Sequence, residues 1–114
     1  HVNSSFVTAV ANDFGYNKVF ARLLKAKGKS GDVLFAFSTS GNSENIIEAI
    51  AAAKEQGMSI VGFTGASGGK MNNLCDFIIK IPSTDTPRIQ ESHMLIGHII
   101  CELVEANIFG NEES

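Results

Sequence analysis

Four hydroxyl-bearing side chains surround one glycine in the segment STSGNS, residues 38–43. The glycine is Gly41, and the hydroxyl residues are Ser38, Thr39, Ser40 and Ser43. Hydroxyl groups donate hydrogen bonds to anions, and glycine lets the backbone turn and approach a bound group closely. A loop that leads into a helix also presents unpaired backbone N–H groups at the positive end of the helix dipole. The segment therefore predicts a loop that binds phosphate.

The same residue types also build turns and helix caps, which need no ligand. One cap uses one side chain, whereas this segment offers four hydroxyl groups, so the residues alone leave both interpretations open. A nucleotide-binding loop fits less well. In TGASGGKM, Thr64 stands where a Walker loop has its first glycine, and Met71 stands where that loop requires Ser or Thr.

Three short aliphatic runs predict the strands that position this loop: DVLFAF (32–37), SIVGFT (59–64) and DFIIKI (76–81). They lack polar alternation, which indicates strands of a parallel sheet buried on both faces. Between the first two, apolar residues follow helical spacing, with Ser43 able to cap the helix and Gly57 able to end it. The loop thus follows a strand at its carboxyl end, where open parallel sheets bind ligands.

The remaining segments complete an α/β domain with helices flanking a parallel sheet. We expect a helix near residues 16–27, a short helix at GKMNNLC, and a long helix with Thr86 as its cap and Pro87 at its first position. Residues 1–114 are interpreted as a single domain. Three strands are few for a parallel sheet, so we expect that an amino-terminal part of the domain precedes His1.

Composition narrows the class of protein. The chain has 114 residues, of which 44% are apolar, and a formal net charge of −3. This balance is typical of a globular domain and argues against a nucleic-acid partner or a disordered acidic chain. No apolar run reaches the roughly 20 residues of a membrane span, so we expect no membrane partner and a cytoplasmic location. Cys75 and Cys101 are isolated in sequence, which favours buried free thiols over a disulfide or a zinc knuckle.

A helical wheel of residues 88–106 predicts which side of the long helix faces the sheet. The expected buried stripe consists of Ile89, Ile96, Ile99, Ile100, Leu103 and Val104. His93 lies at the flank of this stripe and is interpreted as a packed, hydrogen-bonded residue. His98 lies almost opposite, so the residues alone favour a histidine at the surface or at an interface.

Three segments taken together resemble the sugar isomerase (SIS) domain of bacterial phosphoheptose isomerases. They are ANDFGYNKVFARLL, STSGNSENIIEAIAAAKEQGMSIVGFTGASGGKM and CDFIIKIPSTDTPRIQESHMLIGHIICELVE, and their order makes the resemblance run over nearly the whole chain. The resemblance implies a three-layer, flavodoxin-like parallel sheet. It also implies isomerisation of sedoheptulose 7-phosphate to D-glycero-D-manno-heptose 7-phosphate, a step towards the heptose of lipopolysaccharide and related glycans. Ser38, Thr39, Ser40 and Ser43 inherit the role of binding the sugar phosphate.

The resemblance also assigns roles to residues elsewhere in the chain. In RIQESHMLIGH, Gln90 and His98 match zinc ligands, and His98 can also transfer a proton. Asp13 in ANDFGY matches an aspartate near the substrate that would assist ring opening or bind sugar hydroxyls, although a turn residue before Gly15 explains it equally well. The family's other zinc ligands, a histidine and a catalytic glutamate, belong to an upstream segment that this chain lacks.

Two further expectations follow from the family. The intact protein should be a homotetramer, and this chain alone should be inactive. The competing interpretation is a non-catalytic SIS-domain binding protein, of the kind found as a replication-initiation factor in bacteria.

Overall fold

The computed structural model describes residues 5–11 and 19–113, and within them the side chains of residues 21–103 together with those of residues 5–11. The elements, in chain order, are β1 (Phe6–Val10), α1 (Val19–Lys27), β2 (Val33–Phe37), α2 (Glu44–Glu55), β3 (Ser59–Thr64), a short 3₁₀ helix (Gly69–Asn73), β4 (Phe77–Lys80) and α3 (Thr86–Glu113). The predicted helices and strands are therefore present. The bounds of β2, β3, β4, α2 and the 3₁₀ helix differ from the prediction by at most two residues, and residues 16–18 of the first predicted helix lie outside the described residues.

The four strands form one parallel sheet in the order β1-β2-β3-β4. Val33 lies opposite both Phe6 and Ser59, so β2 is paired along both of its edges. Parallel neighbours need crossover connections, and crossovers of one hand running in one direction place α1 and α2 on the same face. The last helix follows the last strand and covers the opposite face. The predicted three-layer α/β class is confirmed.

Two hydrophobic clusters hold the layers together, because successive strand residues point to opposite faces. Leu34 and Ala36 of β2 and Ile60 of β3 pack beneath α2, whose buried residues include Ile46 and Ile50. The other face carries three phenylalanines, Phe35, Phe37 and Phe63, which contact Ile96 and Ile100 of α3. The rings of Phe37 and Phe63 stack with their centroids 4.3 Å apart. This stack lies directly under α3 and at the end of β2 that enters the candidate loop.

The expectation of three strands is wrong, because β1 adds a fourth. Its sequence, FVTAV, gives a mixed pattern: Ala9 is fully buried, whereas Phe6 and Val10 are 41% and 50% exposed. A strand at the edge of a sheet is covered less completely than a central one. It therefore lacks the continuous aliphatic run that identified the other three strands.

The expected buried stripe of α3 is wrong at two positions. Ile99 is 45% exposed and Leu103 is 65% exposed, while Val104 lies beyond the described side chains. Ile89, Ile96 and Ile100 of the expected stripe do face the sheet, and His93 and Gly97 lie on the same side of the helix. An ideal Cβ at Gly97 would lie 3.1 Å from Cζ of Phe37, so glycine allows the helix to approach closely. A wheel that counts only apolar side chains misses contacts made by a histidine and a glycine.

The expectation for the cysteines is met only in part. Both cysteines are free, but only Cys75 is partly buried and Cys101 is exposed, so the prediction of two buried thiols is wrong for Cys101. Within the described residues, no helix has the length and apolar character needed to cross a bilayer.

Candidate functional site

A cavity of about 680 Å³ lies between the carboxyl ends of β1 and β2, the loop after β2, and one side of α3. A cavity of this size is in the range that accommodates small organic ligands. Its walls include all four predicted hydroxyl residues and both predicted metal ligands: Ser38, Thr39, Ser40, Ser43, Gln90 and His98. Residues that are separated in sequence by the whole of β3 and β4 are thus brought to one cavity.

The loop between β2 and α2 is anchored through Gly41. Its backbone φ is +73°, and its N–H donates to the carbonyl oxygen and to Oγ of Ser38, both at 3.1 Å. Its carbonyl accepts the N–H of Met71 at 3.1 Å. An ideal Cβ at Gly41 would lie 2.1 Å from the carbonyl oxygen of Gly68, so any side chain would push the loop away from the 3₁₀ helix.

Ser43 occupies the N-cap position of α2, but its side chain makes no capping hydrogen bond. Its Oγ lies 2.9 Å from Oγ of Ser38, which is 2% exposed and already accepts the N–H of Gly41. If Ser38 donates its hydrogen to Ser43, the hydroxyl hydrogen of Ser43 is left to donate into the cavity. The side chain of Ser43 is therefore not used as a cap, which favours the ligand-binding interpretation of the loop.

Further donors surround the same position. Oγ of Ser40 accepts the N–H of Asn42 at 3.1 Å, so the hydroxyl hydrogen of Ser40 remains a possible donor. Among the described residues, the backbone N–H groups of Thr39, Ser40 and Ser43 have no acceptor. The positive end of the α2 dipole adds to these groups. Together they can bind an anion such as a phosphate group without a cationic side chain.

His93 forms part of the opposite wall and is only 3% exposed, which confirms that it is a packed, hydrogen-bonded residue. Its Nε2 lies 2.8 Å from the carbonyl oxygen of Thr64. Because a carbonyl oxygen only accepts, Nε2 must carry the hydrogen. Burial lowers the pKa of His93, and the hydrogen bond to Thr64 opposes that effect. The folded protein therefore favours the neutral imidazole.

Gln90 and His98 lie on the cavity side of α3 and are both exposed. Nε2 of His98 lies 3.0 Å from Oε1 of Glu102, one helical turn further along, and both side chains are mostly exposed. His98 is thus placed where it can reach a ligand in the cavity. The expectation that it lies away from the core of the domain is confirmed.

The described residues supply only part of a zinc site. An imidazole and a carboxamide are suitable donors, but Gln90 and His98 are eight residues apart, which is roughly 12 Å along a straight helix. A catalytic zinc ion generally takes three protein ligands. Within the described part of the chain, no group of three or more His, Cys, Asp or Glu side chains could hold a metal ion. Asp13, the other predicted catalytic residue, lies outside the described residues.

The lowered pKa of His93 predicts how stability depends on pH. The unfolded chain binds a proton at His93 near the ordinary value of 6.5, whereas the folded protein resists that proton. The free energy of unfolding should therefore be highest above this value and should decrease as the pH falls below it. Measuring the free energy of unfolding in urea at pH values above and below 6.5 checks the prediction.

The variant His93→Gln provides the comparison, because it removes this titration and should show a flatter profile. The pKa of Asp32 is also lowered, chiefly by a hydrogen bond from the backbone of Ser5, but from 3.8, so its effect falls at lower pH. Identical slopes for the two proteins between neutral pH and pH values near 5 would contradict the assignment.

Comparisons with known proteins show the family to which the chain belongs. The family model for the SIS domain matches residues 2–65, which is more than half of the chain. The chain therefore belongs to the SIS domain family.

Its curated relatives include phosphoheptose isomerases. The enzyme from Aneurinibacillus thermoaerophilus is 57% identical over 110 residues, covering 96% of this chain and 56% of the relative. Phosphoheptose isomerase 2 from Campylobacter jejuni is 55% identical over 108 residues, covering 95% and 54% respectively. The chain spans about half the length of these curated relatives.

Two solved structures of phosphoheptose isomerases have a similar fold. A phosphoheptose isomerase from Francisella tularensis matches with a TM-score of 0.81 over 90% of this chain and 76% of that chain, and at 24% identity it shows the fold alone. The phosphoheptose isomerase from Neisseria gonorrhoeae matches with a TM-score of 0.75 and 42% identity, over 83% of this chain and 53% of that chain.

Proposed function

We propose that the full-length protein carrying this chain is an aldose–ketose isomerase. Its reaction interconverts sedoheptulose 7-phosphate and D-glycero-D-manno-heptose 7-phosphate, in heptose biosynthesis for lipopolysaccharide or related glycans. The observation that carries this proposal is the cavity itself. It has anion donors of the 38–43 loop on one wall and Gln90 and His98 on the other. The sequence similarity to phosphoheptose isomerases supports the choice of a heptose phosphate as substrate.

In this proposal, the two walls of the cavity contact different parts of the substrate. The hydroxyl and amide donors of the loop hold the phosphate, and the sugar chain then extends across the cavity towards α3. Fixing one end of a flexible substrate in this way restricts the reacting carbons to few positions, which lowers the entropic part of the barrier.

Isomerisation moves one proton between adjacent carbons and another between their oxygens, so it needs an acid and a base close to the sugar. His98 is exposed to the cavity, and a neutral imidazole has one nitrogen that donates a hydrogen and one that accepts it. We assign His98 to proton transfer at a sugar oxygen. Asp13 is proposed, from the resemblance alone, to assist ring opening or to bind sugar hydroxyls.

The proposed zinc site requires ligands in addition to those that the described residues supply. Gln90 and His98 would contribute a carboxamide and an imidazole, and the missing ligands would come from elsewhere in the full-length chain or from another subunit. When bound, zinc would polarise the substrate carbonyl.

We also propose a homotetramer in the cytoplasm. Large apolar side chains on α3 support assembly, since adjoining exposed apolar groups are typical of interaction surfaces: Met94, Leu95, Ile99 and Leu103 are 71%, 62%, 45% and 65% exposed. Free cysteines fit a reducing compartment.

The test is turnover of sedoheptulose 7-phosphate by the full-length protein, with the aldose product followed by NMR spectroscopy. The proposal predicts conversion in both directions. Tight binding of the sugar phosphate without any conversion would instead support the non-catalytic binding protein, and absence of both would contradict the proposed site.

A further inference from the structure

We propose that His93 is a positioning residue that sets the distance between the phosphate-binding loop and the wall of α3 that carries Gln90 and His98. Its effect on turnover rests on the proposed function, whereas its effect on the loop does not. His93 sits between those two residues in α3, three residues after Gln90 and five before His98. A shift of the helix at His93 would therefore move both of them relative to the loop.

Two hydrogen bonds and one peptide unit connect His93 to the loop. Nε2 of His93 donates to the carbonyl oxygen of Thr64 at 2.8 Å. The next residue, Gly65, donates its N–H to the carbonyl oxygen of Thr39 at 2.9 Å. Thr39 belongs to the loop that would hold the phosphate. The peptide unit between Thr64 and Gly65, at the end of β3, thus links His93 to the loop through these two hydrogen bonds.

The junction at Gly65 leaves no room for adjustment. An ideal Cβ on Gly65 would lie 2.9 Å from the carbonyl oxygen of Thr39 and 2.8 Å from Cδ1 of Ile89. The helix, the end of β3 and the loop therefore meet at one closely packed point. In such packing, a displacement on one side is passed to the other rather than absorbed by a void.

The aromatic surroundings fix the imidazole ring itself. Its centroid lies 5.8 Å from that of Phe37 and 6.0 Å from that of Phe63, with interplanar angles of 60° and 69°. Such edge contacts restrict ring orientation. Phe37 directly precedes Ser38, so the ring is also braced against the residue from which the loop begins. A purely apolar side chain could fill this space but could not donate to Thr64.

The substitution His93→Phe keeps an aromatic ring and removes the donor, while His93→Gln places an amide N–H near the position of Nε2. In the full-length protein, we expect His93→Phe to lower kcat by about tenfold to hundredfold, because small misplacements of reacting groups have effects of this size. The loop itself stays intact, so KM should change much less. His93→Gln should recover most of kcat. Ser92→Ala removes a hydroxyl group that bonds to the carbonyl oxygen of Arg88 in the same helix, so it is the matched control and should resemble the wild type.

A second measurement needs neither turnover nor a folded variant. Isotope-labelled histidine in the wild-type full-length protein is followed by NMR spectroscopy during titration with inorganic phosphate. The Nε2–H signal of His93, which lies in the wall opposite the loop, should shift as its hydrogen bond to Thr64 responds to the anion, because the coupling between loop and helix acts in both directions.

The outcomes separate this proposal from the proposed function. If the wild type does not convert sedoheptulose 7-phosphate, the isomerase proposal fails, and the response of His93 to phosphate still decides the coupling. An unmoved His93 signal at saturating phosphate would overturn the positioning role. So would a His93→Phe protein that is folded and retains wild-type kcat.

Discussion

The 114-residue chain should give no measurable conversion of sedoheptulose 7-phosphate, even with zinc supplied, whereas the full-length protein should convert it. The reason is the set of groups that line the described cavity. Its histidines are His93, which is held neutral by burial, and His98; no carboxylate belongs to the described lining. General acid–base groups each contribute about 100-fold to 10,000-fold, so loss of the base alone should place turnover near the detection limit.

A coupled assay on both chains measures this difference, and circular dichroism shows whether the short chain is folded. If the short chain is folded and converts sedoheptulose 7-phosphate at the rate of the full-length protein, the result would contradict the proposal that the base lies outside the described residues. It would direct attention to Asp13 and His93 as alternative bases.

Replacing Gly41 by alanine should unfold the loop and destabilise the domain. Two effects add. An alanine at a φ of +73° costs about 1–2 kcal/mol, and its Cβ would approach the carbonyl oxygen of Gly68 to 2.1 Å. Because that neighbour is backbone, the clash cannot be relieved by a side-chain rotation. We expect a total loss of about 3 kcal/mol or more in the free energy of unfolding.

Gly57→Ala is the matched control for this substitution. Gly57 has a φ of +78°, but its ideal Cβ would meet a serine side chain, Ser30, at 3.1 Å. It should therefore lose only the conformational part, about 1–2 kcal/mol. Urea denaturation of the two variants gives the comparison. Equal losses would show that the contact between Gly41 and Gly68 does not constrain the loop.

The sequence predicts the central helix and strands because their apolar residues follow one regular pattern along each element. β2 and β3 are continuous aliphatic runs, and α2 has regular spacing with Gly57 at its end, so local rules suffice. The position of the 38–43 loop then follows from parallel topology alone. The same rules do not predict β1, because its side chains lie in two different environments: Phe6 is partly exposed to solvent and Ala9 is in the core.

The finer features of the site depend on contacts that are distant in sequence. The hydrogen bond from His93 to Thr64 spans 29 positions, and no local pattern specifies it. The same holds for Gly97, whose packing on Phe37 decides which side of α3 faces the sheet. Ser43 lies at the N-cap position, as its place in the sequence allows, but its hydroxyl group pairs with Ser38 and makes no capping hydrogen bond. Tertiary packing decides these three features, and residue types only permit them.

The central claim is that the loop recognises the phosphate group of the ligand, and a double comparison by calorimetry tests it most directly. Full-length wild type and Ser43→Ala are each titrated with sedoheptulose 7-phosphate and with unphosphorylated sedoheptulose. A hydrogen bond to a charged group contributes about 1.5–3 kcal/mol, so the substitution should weaken binding of the sugar phosphate by roughly tenfold to hundredfold. It should leave the weak binding of the free sugar unchanged. Equal losses for both ligands, or no loss for either, would contradict the assignment of the phosphate to this loop.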